Sequence, residues 1–147
     1  MKTVGSCPVV ALVVAAALAM PARPQSNAAP ALDFEFFKTR VQPIFLTKRP
    51  GHARCYVCHS TGTTFRLERL SPGATTWNDE QSRRNFDAVK RLVVPHDWKA
   101  SRLLTHPLAP EAGGDEFHSG GKHWDSRSNA EWQILADWVN GKQAASR

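Results

Sequence analysis

The sequence predicts an all-α domain, and three observations carry that expectation. Apolar residues recur at helical spacing towards both ends of the chain, as Phe34, Phe37, Val41 and Ile44 near the start and Trp132, Leu135, Ala136 and Val139 near the finish. No run rich in Val and Ile offers the strands of a βαβ unit. The pentapeptide Cys55-Tyr56-Val57-Cys58-His59 spaces two thiols and an imidazole as one turn of helix would.

Taken in order, the chain opens as an export signal. Lys2 gives a positive start, and Val9 to Met20 is an apolar run too short to span a bilayer stably. Ala17-Leu18-Ala19 is one small-residue cleavage site, and the stretch from Pro21 to Ala31 offers later ones. Cys7 precedes the apolar run, which argues against a lipoprotein. The expected organisation is therefore residues 1–28 as signal and linker and 29–147 as one domain, placed in a bacterial periplasm or its equivalent, with no membrane span once the signal is removed. Loss of Lys2 and Arg23 lowers the formal charge from +6 to +4. Such mild basicity does not point to nucleic acid; it suits a partner protein with an acidic face.

Asp33 is placed to cap a helix that starts at Phe34, with Glu35 against its N-terminal dipole. Pro43 should kink or end that helix around Gln42. Lys48 to His52 reads as a polar turn, Ser60 to Thr64 as a loop, and Phe65, Leu67 and Leu70 as a short apolar patch. Asp79 to Val93 reads as a helix with Phe86, Val89 and Leu92 or Val93 inward and Arg83, Arg84, Lys90 and Arg91 on solvated faces. A short helix is expected over Asp97–Leu104. The composition of Pro107–Trp124 allows no regular element, and its glycines would let a loop approach a flat group closely. Ser128 to Glu131 reads as a capping box that opens a final helix closed by Gly141. The first and last helices, being the most apolar, should pack on each other.

The chemistry centres on the pentapeptide. Two cysteines three residues apart can each be alkylated by one vinyl group of a single haem, and the histidine beside the second is then the proximal iron ligand. Of three cysteines, Cys7 leaves with the signal, so Cys55 and Cys58 have no further pair with which to build a disulfide scaffold or a zinc ribbon. A structural disulfide or a redox dithiol is the competing reading of the pair. One such motif implies one haem c per chain.

The order of helix, CxxCH turn, loops, short helices and final aromatic helix resembles the small all-α fold of single-haem cytochromes c. More narrowly, Val41-Gln42-Pro43-Ile44-Phe45, Ser101-Arg102-Leu103-Leu104, His118-Ser119-Gly120-Gly121-Lys122, and Glu131-Trp132-Gln133 with Trp138-Val139 resemble the Planctomycete-type cytochrome C domains. The resemblance implies N- and C-terminal helices packed beside one covalently bound haem, and an electron carrier rather than an enzyme.

The departure from familiar cytochromes c is methionine. Met1 and Met20 belong to the signal, so the predicted mature domain has no Met ligand. Either a second histidine takes the sixth position or that position is open. His118 is favoured, because it lies in the glycine-bearing loop before the last helix, where small cytochromes c place their distal ligand. His123 and His106 are the alternatives; His96 flanks the short helix, and His52 is too close to Cys55 to reach the opposite haem face. A bis-histidine site would carry a lower reduction potential than a His/Met one. Arg102, Lys122 and Trp124 are candidates to hold the haem propionates. A carbonyl near Ser71 or Pro72 is a candidate acceptor for the second ring nitrogen of His59. The expected function is one-electron transfer between redox partner proteins. Peroxidase-like catalysis or gas binding at an open distal site is the runner-up.

Overall fold

A computed structural model describes residues 31–145 together with Met1. The expectation of a signal in residues 1–28 lies outside this range. Among the described residues there are helices and turns but no β-strand, only three isolated bridges, so the all-α class holds. No helix among them is long and apolar enough to cross a membrane.

The first helix changes its hydrogen bonding along its length. It starts as α1 (Phe34–Phe36), capped by Asp33, whose side chain accepts from the Phe36 N–H. It widens into a π-turn over Phe37–Val41 and then tightens into a 3₁₀ segment over Gln42–Leu46. Pro43 explains the sequence of states. Proline lacks an N–H and its ring collides with the carbonyl four residues back, so a regular α-helix cannot run through it. In the first turn of a new helical segment it is tolerated, and that is its position here. The backbone therefore stays coiled to Leu46 rather than stopping at Gln42.

The last helix, α5 (Ala130–Val139), packs on the first as expected. The rings of Phe37 and Trp138 lie 5.3 Å apart, and Phe86 closes on both at 5.4 and 5.9 Å. The Trp138 indole N–H donates to the Asp33 carbonyl at 2.8 Å, tying the start of one helix to the end of the other. Trp132, Leu135, Ala136 and Val139 are all buried. The expected capping box is corrected. Asn129, not Ser128, caps α5, and Glu131 turns away from the helix start because Arg49 and the Trp124 indole claim its carboxylate.

The helix expected over Asp79–Val93 forms as α3 (Asp79–Val89) with a 3₁₀ extension over Lys90–Leu92, and Asn78 with Gln81 makes a reciprocal capping box at its start. A buried polar bridge joins it to the first helix. Gln42 donates to the Ser82 hydroxyl at 2.9 Å, its carbonyl accepts from Asn85 at 3.3 Å, and Asn85 accepts from the Glu68 N–H at 2.7 Å. The helix expected over Asp97–Leu104 contracts to α4 (Arg102–Thr105). Buried Ser101 is the reason: its hydroxyl bonds to the carbonyls of Val94 and Asp97, which favours a turn over a helix. Pro107–Trp124 is irregular apart from a 3₁₀ turn over Pro110–Ala112. Its ends are stitched together by Ala109 N–H to Trp124 O at 2.9 Å and His123 N–H to Pro107 O at 2.8 Å. Gly114 serves this stitching rather than any ligand, since a Cβ there would fall 1.9 Å from the Leu108 carbonyl oxygen.

Candidate functional site

The pentapeptide folds as a single helical turn, α2 (Cys55–His59), so its two thiols and its imidazole come from one short element. That turn is held from its own flanks. The His59 carbonyl accepts from Leu67 N–H at 2.7 Å, and the Tyr56 hydroxyl accepts from Leu70 N–H at 3.0 Å while its ring meets Trp77 edge to face. Cys55 and Cys58 are free thiols. Burial pushes the Cys55 thiol up, against the pull of the nearby Arg49 guanidinium.

His59 is oriented by its Nδ1, which lies 2.9 Å from the Thr63 hydroxyl and 3.2 Å from the Phe65 carbonyl. The expected acceptor near Ser71 or Pro72 is therefore corrected to Phe65, six residues downstream, where the chain folds back over the ring. A carbonyl accepts only, so Nδ1 carries the hydrogen and Nε2 is left as the free donor atom. Burial lowers the His59 pKa and so favours the neutral ring, the form in which imidazole binds metals.

Cys55, Cys58 and His59 line a cavity of about 620 Å³, a size that accepts a cofactor. His118 lines it too. Its ring stands 6.3 Å from that of His59, centre to centre, with the two planes only 13° apart. His118 Nδ1–H donates to the Gly121 carbonyl at 2.5 Å, so Nε2 is again the free nitrogen. Burial lowers the pKa of this ring as well. With metal–nitrogen bonds of about 2 Å, two imidazoles on opposite sides of one metal place their ring centres about 6 Å apart, which is the spacing here. Among the described residues no group of three or more His, Cys, Asp or Glu side chains is placed to hold a metal ion.

The other histidines separate clearly. His106 and His123 line the same cavity, their rings 5.0 and 5.8 Å from that of His118. His106 Nδ1 is paired with Asp115 Oδ2 at 2.7 Å. Burial, assisted by the Arg49 charge, drives the His123 pKa down to about 4, and its Nδ1 is buried without a hydrogen-bond partner. The ring of His52 lies 5.0 Å from that of His123, tilted at 45°. His96 is exposed, does not line the cavity, and uses its N–H to close the end of α5 at the Val139 carbonyl.

Of the three side chains expected to hold acidic groups, the structure leaves one available. Arg102 lines the cavity with no ionic partner among the described residues. Lys122 does not line it, and its ammonium donates to the carbonyls of His106 and Asp115. Trp124 lines it with a buried ring, but its N–H is spent on Glu131 at 3.2 Å. Three further arginines, Arg54, Arg66 and Arg91, line the cavity with no carboxylate paired to them among the described residues. Arg91 is exposed, as expected, and its place in the 3₁₀ extension of α3 also puts it at the cavity rim. Arg49 had drawn no notice in the sequence. It is nearly buried, pairs with Glu131 at 2.6 Å and accepts its place by donating to Ile44 O at 3.1 Å.

A second depression of about 690 Å³, bordered by Trp98, Arg127 and Gln133, contains no cysteine or histidine. Comparison of the chain with family models, with curated proteins and with solved structures found no match.

Proposed function

We propose that this chain is an exported c-type cytochrome that holds one haem through thioethers to Cys55 and Cys58, with His59 and His118 as axial ligands, and passes single electrons between partner proteins in the periplasm. The observation that carries the reading is the pair of near-parallel imidazoles, 6.3 Å apart, facing a cavity whose wall also presents both thiols. The resemblance to the cytochrome c fold, and more narrowly to Planctomycete-type cytochrome C domains, supports it from the sequence side. The donor set fits a haem rather than a bare ion. Two imidazoles alone make a poor cage, but they complete a metal whose other positions are filled by a macrocycle.

The bound haem would supply the one-electron redox couple. The protein's part is to hold it. Phe65 O accepts from Nδ1 of His59 and Gly121 O from Nδ1 of His118, so each ring would present Nε2 to a bound metal. Arg54, Arg66, Arg91 and Arg102 provide guanidinium groups for two propionates. The unpartnered Nδ1 of His123, a buried polar atom beside the cavity, fits a hydrogen-bonding group bound there. Two imidazole ligands and no methionine sulfur predict a reduction potential below that of His/Met cytochromes.

One observation favours a second reading, a peroxidase-like enzyme or gas binder. His118 comes from an irregular loop, and a polar His106–Asp115 pair stands beside it. Absorption spectra of the haem-loaded protein separate the two. Electron transfer predicts a low-spin spectrum indifferent to carbon monoxide, becoming high-spin or carbon-monoxide-reactive in His118→Ala. A wild type already high-spin and reactive with carbon monoxide assigns the protein to the second class.

A further inference from the structure

His118 is confined on three sides. His106 meets it edge to face, ring centres 5.0 Å apart and planes at 68°. His123 approaches at 5.8 Å and 62°. Gly120 lies beneath, so close that a Cβ there would stand 3.2 Å from His118 Cε1. The Nδ1–H bond to Gly121 fixes which nitrogen points into the cavity, yet a single hydrogen bond leaves the ring free to swing about the line through its two nitrogens. The walls restrict that swing. Of these walls, His106 is the one whose own ring is anchored by a side chain, through Nδ1 to Asp115 Oδ2 at 2.7 Å. Asp115 is in turn fixed by its backbone, whose N–H donates to Thr105 O at 2.9 Å and whose carbonyl accepts from Lys122.

We propose that His106, tethered by Asp115, is a positioning residue that sets the plane of the distal ligand ring, and so keeps the imidazoles of His118 and His59 near parallel. The inference rests on His59 and His118 being the axial ligands. It adds a consequence that ligation alone does not contain. Each imidazole has one filled π-orbital perpendicular to its plane. When two rings on one iron are parallel, their π-donation acts on the same iron d-orbital and the splittings add; when they are crossed, the splittings offset. The 13° between the planes therefore predicts a rhombic low-spin ferric signal, and releasing the His106 wall lets the angle open. The same release would alter the potential, because axial-ligand orientation is one of the protein's controls over the iron.

The test is electron paramagnetic resonance of the ferric, haem-loaded wild type, Asp115→Ala, Asp115→Asn and His106→Ala. The backbone bonds of Asp115 do not involve its side chain, so Asp115→Ala removes the tether with the loop still stitched. The wild type should give three resolved low-spin g-values. Asp115→Ala and His106→Ala should stay low-spin with the largest g-value shifted upward and the signal broadened, and Asp115→Asn, whose carbonyl oxygen still accepts from His106, should return to the wild-type values. Should His106→Ala fail to hold haem, the two Asp115 variants decide. Unchanged g-values in Asp115→Ala overturn the positioning role while leaving His118 as ligand, and so does a shift that Asp115→Asn does not reverse. A high-spin wild type overturns the ligation itself, and the inference with it.

Discussion

At the scale of single residues, burial lowers the pKa of three imidazoles that line the cavity, those of His59, His118 and His123. His123 shows how this couples to pH. Its pKa falls from 6.5 to about 4 on folding because burial disfavours the cation. Above pH 6.5 the ring is neutral both folded and unfolded, and it contributes nothing to the pH dependence. Between 6.5 and 4 the unfolded chain binds the proton that the folded chain refuses, so stability falls with pH across that window and levels off below it. Urea unfolding of the haem-free chain from pH 7.5 to 3.5 should show this decline, and His123→Gln should make it shallower, leaving the part that His59 and His118 contribute. A variant with the same pH profile as the wild type would assign the acid sensitivity to other groups. Arg49 belongs to the same scale. One oxygen of Glu131 accepts from two of its nitrogens, at 2.6 and 2.7 Å, and from the Trp124 indole. A single carboxylate thus joins the turn before α2, the cavity wall and the start of α5.

At the scale of elements, the buried bridge of Gln42, Ser82 and Asn85 registers α3 against the first helix. Asn85→Leu would leave the Gln42 carbonyl and the Glu68 N–H without their partner, which costs about 1–3 kcal/mol for each buried polar group stranded. Urea titration should find the variant less stable by roughly 2–4 kcal/mol, and a change within 0.5 kcal/mol would show that water repairs the bridge. None of these three residues could be singled out in the sequence. A polar residue facing a core reads as an interruption of the apolar stripe until its partner, some forty positions away, is known. What could be read was periodic or local. The helices from Phe34 and Asp79, the final helix, its Gly141 stop and the packing of the first helix on the last all followed from spacing and caps. The two errors of local structure, the cap of α5 and the length of α4, have one cause: a side chain expected to serve its own helix was claimed by a distant group or a turn. The site divided the same way. That Cys55, Cys58 and His59 share one turn could be read from their spacing. His118 stood in the sequence only as a preference among loop histidines, since the ring it parallels lies 59 positions back, and His106 was named there as an alternative but not as a wall against His118.

At the scale of the whole molecule, charge is unevenly spent. Lys38, Arg49, Arg84, Lys90 and Lys142 face carboxylates, whereas the four arginines at the cavity have none among the described residues. Two propionates would leave that rim positive. Electron exchange of the haem-loaded protein with a small anionic metal complex should slow as salt rises from 10 to 500 mM, roughly the range over which screening contracts from about 30 Å to a few Å. Exchange with a neutral complex should not. A rate equally insensitive for both would place the electron-exchange edge away from these arginines.

The bond between Trp138 and Asp33 spans 105 positions. A chain leaving the ribosome delivers α2 long before α5, so the two thiols are presented while the molecule still lacks the helix that closes its core. Maturation thus has a built-in order. If Cys55 and Cys58 take a haem as proposed, the group would be attached to a chain whose final ten-residue helix has yet to pack.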